Sequence, residues 1–133
     1  MFERIIWLPE VINPTLLNVK MFLAEEIHKI NMPYDQDERN CAHFSKEIQD
    51  AASIRGIRCG YVVISFEHSD IGHAIIAFET DYGLRFFEPQ SGNEEDVIVG
   101  RCYSAQTEGI ADDNIISRVE IMWNDGIKVV IDK

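Results

Sequence analysis

The hydrophobic period of this chain changes once, at Gly56, and that change limits the folds open to it. Upstream, Leu16, Val19, Leu23, Ile27 and Ile30 recur at helical spacing, and Cys41, Phe44, Ile48, Ala51, Ala52 and Ile54 are the apolar positions of a second helix. Downstream, short β-branched and aromatic runs are separated by turn-forming residues. The order helix, helix, strands predicts an α+β fold, with N-terminal helices packed on a mostly antiparallel β-sheet.

Local signals set the boundaries. Asn13-Pro14-Thr15 starts the first helix with Pro14 in its first turn, and Asn31-Met32-Pro33 stops it. The polar loop from Tyr34 to Asn40 is dense in acidic groups, and the second helix runs from Asn40 to Arg55 with Gly56 as its stop. Cys59 to Phe66 reads as a strand, Glu67 to Gly72 as a polar loop, and His73 to Glu79 as the next strand. Thr80-Asp81-Tyr82-Gly83 turns the chain into a returning strand, Leu84 to Glu88, closed by Pro89. Gln90 to Asp96 reads as loop. Arg118 to Trp123 and Ile127 to Ile131 form a final hairpin around Asn124-Asp125-Gly126. Glu3 to Leu8 is a short apolar run, and Val97 to Ile116 carries no clear pattern.

Size and charge narrow the function classes. A chain of 133 residues suits one domain, 1–133, and buries roughly two-thirds of its unfolded surface without help from disulfides or metals. Its net charge of -11 opposes phosphate backbones and anionic lipid, so neither nucleic acid nor membrane is an expected partner. Three cysteines, Cys41, Cys59 and Cys102, do not make a disulfide framework. No apolar run resembles a cleavable leader or a membrane span, so the expected location is cytoplasmic, with the allowance that the chain is one domain of a larger protein.

Cys41 opens a predicted helix, where unpaired N–H groups and the helix dipole favour a thiolate and can also hold an oxyanion. The plain alternative is a small buried residue at a helix start. His73 follows Gly72 at a strand start, from which its ring can serve Cys41 as a base or as a charged partner. The hairpin turn brings Glu88 to the same end as His73, where an acid can orient the imidazole. Taken singly, His73 reads equally as a structural histidine and Glu88 as a surface glutamate. Their order and placement together make the case.

The blocks Asn40 to Ser45 (NCAHFS), Gly72 to Phe78 (GHAIIAF) and Phe86 to Gln90 (FFEPQ), with Gly56-Ile57-Arg58 between helix and strand, carry a resemblance. They are similar to the transglutaminase-like group of papain-fold cysteine enzymes, over Tyr34 to about Gln90. The resemblance implies Cys41 as nucleophile, His73 as base and Glu88 as orienting acid, in acyl transfer on an amide of a peptide or protein. Hydrolysis is favoured over transamidation. The group more often carries Asp at the acid position. The alternative is a non-catalytic binding or scaffolding module of the same fold.

Gln36, Asn40 and the Cys41 backbone N–H are the oxyanion candidates, and Gln90 and Tyr34 candidate substrate contacts. Trp7 and Trp123 are further aromatic candidates for a cleft, or else core. His43, two residues past Cys41, faces another way on the helix. Cys59 and Cys102 are read as structural. No cofactor is expected. Metal is not expected either, because His43, Cys41, Cys59 and His73 lack the spacing of a zinc site. An acidic cluster, Asp35, Asp37 and Glu38, would favour a basic substrate if it flanks the cleft.

Overall fold

The computed structural model describes residues 10–29, 40–103 and 114–132. The expectations for Glu3 to Leu8, Trp7, Ile30, Tyr34, Gln36 and the acidic cluster lie outside these residues. Two helices, α1 (Leu16–Lys29) and α2 (Cys41–Ile54), pack on a six-stranded sheet. Its strands are β1 (Gly60–Phe66), β2 (Ser69–Thr80), β3 (Gly83–Phe87), β4 (Glu94–Glu95), β5 (Ile116–Trp123) and β6 (Lys128–Asp132). The sheet order is β4-β3-β2-β1-β5-β6, and every neighbouring pair is antiparallel.

Alternation along the strands divides the core between two faces. On one face Val62, Ile64, Ile75, Ala77, Val119 and Ile121 cluster with Phe66, Phe86 and Trp123. Val97, Val99 and Tyr103, from the stretch that carries no sequence pattern, pack on this face. On the other, Ile76, Phe78 and Phe87 meet Val19, Phe22, Leu23, Ile48 and Ala52 of the helices. Phe22 and Phe78 meet edge to face, with ring centroids 6.2 Å apart. Each such fully buried side chain contributes about 1.5–3 kcal/mol.

Polar contacts lock helices to sheet. Thr15 caps α1, so Pro14 lies before the helix and not in its first turn: the Thr15 hydroxyl accepts from the Asn18 N–H at 3.1 Å. Asp81 in the β2–β3 turn accepts from the Leu16 N–H at 2.8 Å, tying that turn to the helix start. Buried Gln49 of α2 donates to the carbonyls of Cys59 and Met122 at 3.1 and 2.8 Å. Gly60 admits no side chain, because a Cβ there would lie 2.6 Å from Ile121 Cγ2.

Several sequence expectations change. The stretch predicted as a loop from Glu67 to Gly72 is mostly strand: only Glu67 and His68 turn, and β2 begins at Ser69 opposite Phe66. Backbone pairing extends beyond the core there, so its side chains stay largely exposed and polar. The predicted loop Gln90 to Asp96 contains β4, which pairs Glu94 and Glu95 with Phe87 and Phe86. Ile54 is 87% exposed, because it stands two residues past buried Ala52 and therefore on the opposite side of α2. Trp123 belongs to the core, and Cys102, read as structural, is exposed.

Candidate functional site

Cys41 is the first residue of α2 because Asn40 ends the extended chain and caps the helix. The Asn40 side-chain oxygen accepts from the N–H groups of Ala42 and His43 at 3.1 and 3.2 Å. Its backbone carbonyl accepts from Phe44 at 3.1 Å. Of the sequence candidates for oxyanion contact, Asn40 therefore commits its side-chain oxygen to the helix.

His73 lies on β2 opposite Ile64 of β1. Gly72 before it sits against that strand, where a Cβ would meet the Ile64 carbonyl at 3.0 Å. β3 pairs with β2 only from Thr80 back to Ile76. Beyond this point the chain leaves the ladder, and Glu88, one residue past β3, turns its carboxylate to His73. His73 Nε2 lies 2.9 and 3.1 Å from Glu88 Oε1 and Oε2. The same region of β2 serves Cys41: the His73 side chain and the Ala74 backbone N–H both act to lower its thiol's pKa. With Nε2 given to Glu88, Nδ1 is the ring nitrogen that this contact leaves open.

The structure thus brings Cys41, His73 and Glu88 together. The His73 side chain is 7% exposed and that of Glu88 is 16%, while Cys41 is half-buried and within reach of solvent. Charges follow from these contacts. Burial alone pushes the Cys41 thiol up, but the hydrogen bond with His73, the Ala74 N–H, the imidazolium charge and the Ala42 N–H outweigh it, and the net shift is down. Burial likewise pulls His73 down, but the bonds to Cys41 and Glu88 and their negative charges raise it to about 9. Both shifts favour a thiolate beside an imidazolium over a neutral pair.

Two contributors escape sequence reasoning. The Tyr103 hydroxyl donates to Glu88 Oε1, and its ring centroid lies 5.6 Å from that of His73. Burial, that donation and nearby negative charges hold the phenol well above its ordinary range, so it keeps its proton. Tyr103 is itself fixed by Asn114, whose side chain donates to the Tyr103 carbonyl at 2.7 Å and whose carbonyl accepts from the Tyr103 N–H at 3.0 Å. Half-buried Tyr61 is also pushed up, first by burial and then by the charge of Cys41.

The remaining candidates separate. Gln90 is exposed in the turn after Glu88, and no contact joins it to the three residues. His43 is exposed. Cys59 is fully buried, and burial holds its thiol protonated. Among the described residues no group of three or more His, Cys, Asp and Glu side chains is arranged to hold a metal ion. Among them, too, no helix is long and apolar enough to cross a membrane.

No family model matches the chain, and no curated protein matches it. Among solved structures, a lectin of Polyporus squamosus, bound to a human-type influenza-binding epitope, is similar with a TM-score of 0.49 and 20% identity. The likeness covers 63% of this chain and 33% of the lectin, so the chain matches about a third of that protein's length.

Proposed function

We propose that this domain is a cysteine-dependent acyl-transfer enzyme of the papain- and transglutaminase-like kind, acting on an amide of a peptide or protein. The observation that carries the reading is the shared histidine: His73 Nε2 meets the Glu88 carboxylate, and Cys41 and Glu88 together raise the His73 pKa. A nucleophile, a base and an orienting acid in that chain of contact are the parts such chemistry needs.

In the proposed reaction the Cys41 thiolate attacks the amide carbon and a tetrahedral oxyanion forms. The Cys41 backbone N–H, the first-turn donor that Asn40 does not cap, is the nearest candidate to hold that oxygen. The His73 imidazolium gives its proton to the amide nitrogen, the C–N bond breaks, and an amine leaves a thioester on Cys41. Neutral His73 then takes a proton from water as the hydroxyl oxygen attacks the thioester. Collapse releases the carboxylic acid and restores the thiolate–imidazolium pair. Glu88 keeps the ring aligned and its charge balanced through both steps. Water is the default acceptor, so hydrolysis is preferred to transamidation. The net charge of -11 favours cationic peptides near the site.

The test is acyl capture. On incubation with p-nitrophenyl acetate, intact mass should reveal one acetyl group on Cys41 that then disappears by hydrolysis. Cys41→Ala should remove the adduct, and His73→Ala should slow its formation and its loss. Failure of the wild-type protein to acylate at Cys41 overturns the reading. A Cys41→Ala protein that keeps full biological activity would assign the domain to binding instead.

A further inference from the structure

We propose that β6 is a self-pairing edge, through which two copies of this chain join their sheets. Among the described residues β6 ends the sheet, and each of its residues is exposed. Val129, Val130 and Ile131 are 38%, 42% and 40% exposed, an apolar run on an open edge. Edge strands usually carry a proline, a bulge or an inward charge against such pairing. β6 has none of these: its register with β5 runs unbroken from Met122↔Lys128 to Arg118↔Asp132, and its charges stand only at the ends.

The backbone sets the phase of the pairing. The Trp123 N–H bonds to the Ile127 carbonyl, so Ile127, Val129 and Ile131 turn their hydrogen-bonding groups toward β5. Lys128, Val130 and Asp132 therefore turn theirs outward. A two-fold axis at Val130 places the two Val130 residues opposite each other in an antiparallel pair. Lys128 of each copy then faces Asp132 of the other, and all three outward positions exchange backbone bonds. Val129 faces Ile131 on the neighbouring, closer-packed positions.

This register is selected by charge. Sliding one copy by two residues places Lys128 or Asp132 across from Val130 and leaves an ionic partner unmatched. Within its own chain Lys128 stands 3.9 Å from Glu120 Oε2, at the outer limit of an ion pair, so it is free to serve a partner. Self-complementarity of this kind points to a second copy as the occupant, because any other strand would have to repeat the same charge order. The net charge of -11 on each copy opposes approach, but at physiological salt it is screened beyond about 8 Å.

Sedimentation velocity of the wild-type chain over a wide concentration range should reveal a monomer–dimer equilibrium. Val130→Pro removes one outward N–H and spares the bonds to β5, so dimerisation should weaken about tenfold or more at an unchanged melting temperature. Lys128→Asp alone and Asp132→Lys alone should each weaken self-association, since each places like charges face to face. Mixing these two variants should restore a heterodimer with both pairs opposite in sign. A wild-type chain that stays monomeric at every concentration overturns the proposal. A dimer indifferent to both single charge variants does so too, even if Val130→Pro does not fold.

Discussion

Tyr103 and His73 share one oxygen. The Tyr103 hydroxyl donates to Glu88 Oε1, the atom that stands 2.9 Å from His73 Nε2. Tyr103 thus draws negative charge from the carboxylate that stabilises the imidazolium, and it holds that carboxylate in place. It is a positioning residue that works through Glu88. In Tyr103→Phe the ring contact with His73 remains and the donated proton is lost. The carboxylate then pulls harder on the imidazolium, and the His73 titration followed by NMR should move upward from about 9. A purely structural Tyr103 would leave that midpoint unmoved in a folded variant.

Cys41 should label with iodoacetamide at lower pH than an ordinary thiol, whose midpoint is about 8.5. The cause is its set of bonds to His73, Ala74 and Ala42, which outweighs burial. Removing the ring leaves burial with less opposition. In His73→Ala the labelling midpoint should therefore rise, and the rate at neutral pH should fall by roughly tenfold or more. Peptide mapping separates Cys41 from exposed Cys102. Identical pH profiles for the two proteins would remove the support for an activated thiol.

Stability should follow the same pair. His73 is raised in the folded state, from an ordinary 6.5 to about 9, so its contribution is complete below about 6.5 and is lost as pH rises through about 9. Cys41 is depressed, so its contribution is present above the ordinary thiol value and is lost as pH falls through its folded value. Urea unfolding should accordingly weaken through His73 between about pH 6.5 and about 9, by on the order of a few kcal/mol at most. Glu88→Gln removes a charge that supports the imidazolium, so this loss should be smaller and end at lower pH. A variant that loses stability over the same range as wild type would separate Glu88 from the titration.

Gly60 tests the contact between β1 and β5. A Cβ there would stand 2.6 Å from Ile121 Cγ2 in a fully buried part of the core. Gly60→Ala should destabilise the fold by about 1–3 kcal/mol through overpacking, read as a lower urea midpoint with an unchanged slope. Gly83→Ala at the exposed β2–β3 turn meets no neighbouring atom, but strains a backbone at φ 90°, so its cost is conformational instead.

Much of the site rests on signals that neighbours in sequence carry. Asn40 before Cys41 is a helix cap whatever surrounds it, and the Asp81-Tyr82-Gly83 turn returns Glu88 to the end of the hairpin that bears His73. Backbone geometry within a few residues decides such features. For the same reason the helices, the hairpins and the α+β order of elements are legible in the chain.

The rest depends on which elements meet. Nothing around Tyr103 marks it, because its partners Glu88, His73 and Asn114 come from elsewhere in the chain. β4 and the first residues of β2 are polar, and they are strands only because a neighbouring edge offers them hydrogen bonds. Ile54 is apolar yet stays in solvent, since it lies on the side of α2 away from buried Phe44, Ile48 and Ala52. The sequence by itself determined which residues start helices, turn hairpins and stand at their ends. Only the tertiary structure decided that one carboxylate would be shared between a histidine and a tyrosine, and that an apolar strand would be left at the open edge. Both depend on packing between distant segments, which local propensity does not encode.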